Sequence, residues 1–216
     1  MSTIEADDQS PNSRSHCMTE PADKPCARDR ILAAANDLFY REGIRAIGID
    51  TVIERAGVAK MSLYRAFPSK DDLIAAFLEM RDKMYWEWWD GVMARHPDDS
   101  RRQLRALFEA VARRTSGSQY RGCPFVNMSV EFPDHAHPGR LVVARHMEEL
   151  RRRLSTLVEG LGLAQPKSLT DQLMLLLEGA YSAGNTMGAD GPSASAAACA
   201  EIIIQAHLSS TLSRPA

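Results

Sequence analysis

Lys60, Ser62 and Arg65 fall within a six-residue stretch, with Tyr64 between them and Lys70 shortly after. A lysine reaches a phosphate or a guanine, a serine hydroxyl serves either, and an arginine fork matches the guanine edge. Donors of different reach on one short helix are what reading a DNA major groove requires. The flanks set that helix up. Gly57 permits the positive φ that reverses the chain in few residues, and Pro68 forbids further helix. Val52, Ile53, Val58 and Leu63 are spaced to pack inward and fix the crossing of two helices. An ordinary helical hairpin has the same turn and solvent-facing polar residues, so charge must discriminate.

Over all 216 residues the formal net charge is −2, which taken whole points away from nucleic acid, but the sign is unevenly spread. Residues 1–23 set Arg14 against Glu5, Asp7, Asp8, Glu20 and Asp23, a net −4. Residues 24–70 set Lys24, Arg28, Arg30, Arg41, Arg45, Arg55, Lys60, Arg65 and Lys70 against Asp29, Asp37, Glu42, Asp50 and Glu54, a net +4. The basic excess therefore coincides with the helix pair.

The spacing predicts an all-α fold of about nine helices. Residues 1–23, polar and nearly without apolar content, read as a disordered arm. Residues 24–70 read as a three-helix DNA-binding domain: Ala27–Arg41, with Ile31, Leu32, Ala35, Leu38 and Phe39 on one face, then Ile49–Ala56 and Ala59–Phe67. Residues 71–216 read as a larger helical domain. Ser69 caps a helix running to about Arg95, which carries Leu73, Ile74, Phe77, Met80 and Met84 and then turns apolar nearly all round. Further helices are expected over Arg101–Arg114, residues 124–132, Pro138–Leu161, Leu169–Met187 and Ser193–Leu212. No strand and no internal repeat is evident.

The segment GIRAIGIDTVIERAGVAKMSLYRAFPSK resembles the DNA-binding domain of the TetR family of transcriptional regulators. Gly43, Ala56, Gly57, Val58, Leu63, Tyr64, Phe67, Ser69 and Lys70 stand at the family's positions with unbroken spacing. The resemblance implies base contacts from Lys60, Met61, Ser62 and Arg65 and phosphate contacts from Tyr64 and Lys70. Ile47 and Gly48 replace the usual hydroxyl residues, with Thr51 a partial substitute, Ala59 replaces a capping serine, and Met61 replaces a frequent glycine. Met61 can reach a thymine methyl.

The resemblance also implies a homodimer on a palindromic double-stranded operator, repression, and release by a small-molecule effector. Leu173, Leu176, Gly179, Ala180, Ala183 and Gly184, followed by Cys199 and Ile203, offer small or apolar faces for a dimer contact, against the blander reading that both faces pack internally. For the effector, Trp86, Trp88, Trp89, Phe108, Tyr120, Phe125 and Met128 are candidate walls together with Cys123, and Asn127, Glu131, His135, His137 and His146 are candidate polar anchors. The same aromatics can be plain core. Cys123 beside Arg121 is a candidate reactive thiol, against the blander reading of a neutral buried one.

The four cysteines lack metal or disulfide spacing, and Glu131, Asp134, His135 and His137 sit irregularly in a loop, so neither metal nor cofactor is expected. A helical-bundle enzyme would call for a phosphate loop, a paired Glu-x-x-His motif or a nucleophile elbow, none of which occurs. A protein-binding adaptor would leave the donors of the short helix without purpose. No apolar run reaches membrane-spanning length and the N-terminus lacks a secretory pattern, so a cytoplasmic protein is expected.

Overall fold

Periodic apolar residues and well-placed breakers produce the helices in the computed structural model, which describes residues 25–212. The arm expected over residues 1–23 lies outside them. Among the described residues there are nine α-helices and no strand. Helices α1 (Ala27–Glu42), α2 (Ile49–Ala56) and α3 (Lys60–Ala66) form the head. The third begins one residue later than expected, because Ala59 is extended and has no side chain to cap it. It stops at Ala66 because Phe67 precedes Pro68 and is held extended.

Helix α4 (Lys70–Met93) opens on a full capping box: the Ser69 hydroxyl accepts from the Asp72 amide while the Asp72 carboxylate accepts from the Ser69 amide. Then follow α5 (Ser100–Thr115), capped by Asp99, α6 (Pro124–Glu131) and α7 (Pro138–Glu159). Helix α8 (Pro166–Met187) starts ahead of the expected Leu169 because proline suits a first helical position. A short 3-10 turn, Pro192–Ser195, takes the residues where the last helix was expected to begin, and α9 spans Ala196–Leu212.

Two cores result. The first joins Ile31, Leu38, Phe39, Val52 and Leu63 of the head to Leu73, Ile74, Phe77 and Leu78 of α4, Phe125 and Met128 of α6, and Val142 and Val143 of α7. Packing therefore runs across the boundary expected after residue 70. The second core holds Tyr85 and Trp89 of α4 with Leu104, Leu107, Phe108 and Val111 of α5, Leu150 and Leu154 of α7, Leu173 and Leu177 of α8, and Ala200 and Ile204 of α9.

His146 lies at the seam. Its ring stacks on Phe125 at 3.6 Å between centroids, meets the edge of Tyr85, and places Nδ1 2.7 Å from Asp82 Oδ1. Burial holds its pKa below the ordinary 6.5, and the Asp82 carboxylate only partly opposes this.

Two consequences can be measured. A Cβ on Gly184 would come within 2.4 Å of the Thr115 side chain and 3.2 Å of its carbonyl oxygen, whereas one on Gly91 meets nothing within 4 Å. Gly184→Ala is therefore expected to lower stability by about 1–3 kcal/mol, and Gly91→Ala to raise it by up to about 1 kcal/mol, both read from denaturant midpoints. Equal effects would contradict the α5–α8 contact. As for pH, folded His146 binds fewer protons than unfolded histidine, so its contribution to stability declines as pH falls below about 6.5. The stability difference between wild type and His146→Gln should shrink between about pH 7.5 and about pH 5.5, and a constant difference would refute the assignment.

Candidate nucleic-acid interface and internal cavity

The head presents one side of α3 to solvent. Leu63 is wholly buried and anchors the helix, with Val52 and Phe67 beneath it. Met61 is 72% exposed, and Tyr64, Lys60 and Arg65 share that open side. Ser62 is half-buried, and Thr51 is exposed on α2. The turn between the helices rests on Gly57, whose φ of 61° and ψ of 44° are left-handed. The turn is tied to α1 by Arg30, which donates to the Gly57 carbonyl at 3.4 Å.

The ion pairs of the head divide by their surroundings. Asp37 of α1 holds both Arg41 and Arg55 at 2.7 Å, bracing α2 against α1. Lys60 lies 3.2 Å from Asp50, but both side chains are mostly exposed, so water and salt weaken that pair and leave the lysine free to exchange partners. Lys70 differs. Its Nζ donates to the Ile44 carbonyl at 2.9 Å, and burial lowers its pKa despite the nearby Glu131 and Asp71 carboxylates. Two of its three N–H donors remain available.

Glu131, expected as a ligand anchor, ends α6 by reaching into the head. Its two carboxylate oxygens accept from the Ile44 amide at 3.2 Å and the Arg45 amide at 2.7 Å. Gly43, with φ of 93°, turns those amides toward it. Gly43 and Glu131 are 88 positions apart, a pairing no local pattern reveals.

Beyond the head, a cavity of about 30 Å³ lies between α1, α4, α5, the N-terminus of α6 and α8, lined by Tyr40, Arg81, Met84, Tyr85, Arg114, Tyr120, Cys123, Phe125 and Tyr181 among others. A second space of about 260 Å³ adjoins it through Gly122, Cys123 and Tyr181, and adds Asn127, Glu178 and Asn185. Of the expected residues, Tyr120, Cys123 and Phe125 line the first and Cys123 and Asn127 the second. Trp86, Trp89, Phe108, Met128, His135, His137 and His146 line neither. Trp89 and Phe108 are buried as core because their helix faces meet α7 and α8, and Trp86 is covered by the Arg153 guanidinium, 4.4 Å from its ring. Trp88 borders an open groove between α4 and α5 instead.

Arg121 is not among the groups that set the protonation of the Cys123 thiol. Burial pushes its pKa up to about 11, so it stays protonated at neutral pH. Among the described residues no cluster of histidine, cysteine, aspartate and glutamate is arranged to hold a metal.

The cavity residues missed in the sequence include Tyr40, Arg81, Met84, Arg114 and Tyr181. Arg81 had a signal, since it interrupts the four-residue ladder Leu73, Phe77, Tyr85, Trp89 on α4 with a charge.

On the last two helices, Leu173, Ala180 and Gly184, expected at a dimer contact, turn inward: Leu173 is wholly buried, Ala180 joins the second core, and Gly184 lies against Thr115 of α5. Leu176, Ala183 and Ile203 are half-buried. The open side carries Leu175 and Ile202, 74% and 69% exposed, with Gly179 and Cys199. No helix among the described residues is long and apolar enough to cross a membrane.

Comparison with known proteins gives these features a context. The profile of bacterial regulatory proteins of the tetR family matches residues 31–77, and that of the tetracyclin repressor-like C-terminal domain matches residues 100–200. A TetR-family transcriptional regulator from Streptomyces coelicolor superposes with a TM-score of 0.79 at 30% identity, covering 84% of this chain and 95% of its own. The HTH-type transcriptional regulator YjdC of Escherichia coli is 23% identical over 155 residues, 72% of this chain and 81% of that protein. The HTH-type transcriptional activator FasR of Mycolicibacterium smegmatis is 38% identical over 86 residues, 38% of this chain and 37% of its own. Two matching domains in the right order and a shared fold along most of both chains establish that this chain belongs to the TetR family and is a DNA-binding transcriptional regulator.

Proposed function

We propose that the protein is a cytoplasmic homodimeric repressor that binds a palindromic operator and is released when a small molecule enters the cavity behind the head. It acts by binding, with no catalytic step. Lys60, Met61, Ser62 and Arg65 read base edges, while Thr51, Tyr64 and Lys70 hold phosphates. Repression rather than activation follows what TetR-family proteins usually do. The dimer forms through α8 and α9, and the exposed Leu175 and Ile202 support that contact because large apolar side chains left open on adjoining helices gain most from being covered.

The observation that carries the regulatory half is the strap made by α6. Its first turn, Pro124 and Phe125, walls the cavity, and its last residue, Glu131, holds the amides of Ile44 and Arg45 ahead of α2. A ligand that displaces the cavity end of α6 therefore pulls on the turn that orients the reading helices. Two heads that no longer match successive major grooves lose the operator, and the shift can be no larger than the ligand's preference for one state over the other.

Selection of bound genomic fragments by the purified full chain would supply the operator for a gel-shift assay. Lys60→Ala and Arg65→Ala are each expected to weaken operator binding by about tenfold to a hundredfold, with unchanged thermal stability and a shallower dependence on salt. Normal binding by both variants would contradict the docking. Removing the strap with Glu131→Ala should speed hydrogen exchange at the Ile44 and Arg45 amides by about tenfold or more. Unchanged exchange would show that the strap does not hold the head.

A further inference from the structure

The cavity behind the head is lined by donors and two unpaired cations. Arg81 of α4 lies with its guanidinium carbon 3.8 Å from the Tyr40 ring centroid, and its buried Nε has no hydrogen-bond partner. Arg114 of α5 faces the same space, 4.9 Å from the Trp88 ring and 5.8 Å from that of Tyr85. Among the described residues neither arginine has a carboxylate within ion-pair distance, although Arg41, Arg55, Arg151 and Arg152 each have one. The half-buried Arg81 guanidinium is drawn partly out of water without a counter-charge, which is costly, and the exposed Arg114 facing the same small space repels it.

Of the remaining polar groups, the Tyr40 and Tyr120 hydroxyls already donate, to the Gly122 and Tyr181 carbonyls. The hydroxyls of Tyr181 and Tyr85 share a single long contact of 3.5 Å, which leaves Tyr85 a proton to donate. Burial keeps both phenols and the Cys123 thiol protonated. The carboxyl of Glu178 lines the adjoining space rather than this one, and burial raises its pKa.

From this arrangement we infer that the effector is an organic anion, an aromatic carboxylate, whose charge is taken between Arg81 and Arg114 and whose ring lies among the tyrosines. The inference rests on the effector reading above and gives it a chemical class. A carboxylate accepts from a guanidinium with the strength of a charge-assisted bond, and the tyrosine faces suit a planar ring. The space of about 30 Å³ is room for about one water, so a ring enters by displacing the rim. Met84, 46% exposed, and the exposed Arg114 are the flexible side chains there.

The test uses the purified full chain with benzoate, cinnamate and 2-naphthoate, the primary amide of each, and the corresponding arylmethylammonium ions, with binding read by calorimetry. At least one carboxylate should bind about tenfold or more tighter than its own amide and than its ammonium counterpart. Arg81→Met and Arg114→Met should each remove most of that preference, whereas Arg81→Lys should keep part of it. Because Arg114 is exposed, its variant still decides the question if Arg81→Met does not fold. Carboxylates that bind no better than amides, a preference for ammonium ions, or a preference untouched by both variants would overturn the inference. A gel-shift assay separates the two readings. Carboxylate binding without operator release would leave the anion site standing and remove its role as effector site. Release by a neutral or cationic compound alone would keep the effector reading and remove the anion.

Discussion

Helix α4 buries Leu73, Ile74, Phe77 and Leu78 in one core and Tyr85 and Trp89 in the other, so neither half of the molecule can be packed without it. Its 24 residues span about 36 Å at helical rise, and the capping box at Ser69 fixes where that length begins. Lys70 at its first turn contacts the Ile44 carbonyl of the head, while Arg81 and Tyr85 further along face the cavity. A rigid rod shared between two close-packed cores cannot shift at one end without moving the other. The Glu131 contact is a second fastening to the same turn, so the amide and carbonyl of Ile44 are held from two sides, by α6 and by α4.

This arrangement separates rigidity from reading. The braces of the head, Asp37 with Arg41 and Arg55 and Arg30 with the Gly57 carbonyl, lie where they fix one helix against another. Lys60, Met61 and Arg65 are left on the open side, and Met61 is a large apolar group exposed beside them with no intramolecular reason to be there. An acidic total charge does not conflict with DNA binding, because potential near a surface is set by the charges within about 8–10 Å at physiological ionic strength.

Most of the fold was legible because helices are local objects. The three-and-four spacing from Ile31 to Phe39, the Gly57 turn and the Pro68 stop are read within a window of a few residues, and the structure departs from them only where a cap decides the end, as at Ala59 and Pro166. What was not legible depends on partners distant in the chain. A stripe of small residues permits close approach without saying to what, and Gly184 spends it on Thr115 within the same chain. Trp89 and Phe108 have the composition of a pocket wall, yet their faces meet other helices first. Arg81 was readable, as a charge on an apolar ladder, but only if the exception to the pattern is treated as the signal. Glu131 gave no local sign, because its role is defined by backbone amides that Gly43 presents from the far end of the sequence.

A cavity with room for one water cannot hold an effector without rearrangement, so the question becomes which wall yields. The α4 and α8 sides are tied into the second core by the buried Tyr85 and Tyr181, the α5 side by Phe108 and Val111, and the α1 side into the first core by Leu38 and Phe39, and moving any of them disturbs close packing on several sides at once. The remaining wall is the segment from Tyr120 to Cys123, which enters α6 through Gly122 at a φ of 89°. It is held by Tyr40, whose hydroxyl accepts from the Arg121 amide and donates to the Gly122 carbonyl. With the Asn127 amide donating to the Arg121 carbonyl and the Tyr120 hydroxyl to the Tyr181 carbonyl, these are four ordinary hydrogen bonds, each worth about 1 kcal/mol net, less than the cost of opening a core. The softest wall of the cavity is therefore the one joined to α6. That helix is only eight residues, about 12 Å long, with Glu131 at its other end, so displacement at the cavity is delivered to the head with little helix in between to absorb it.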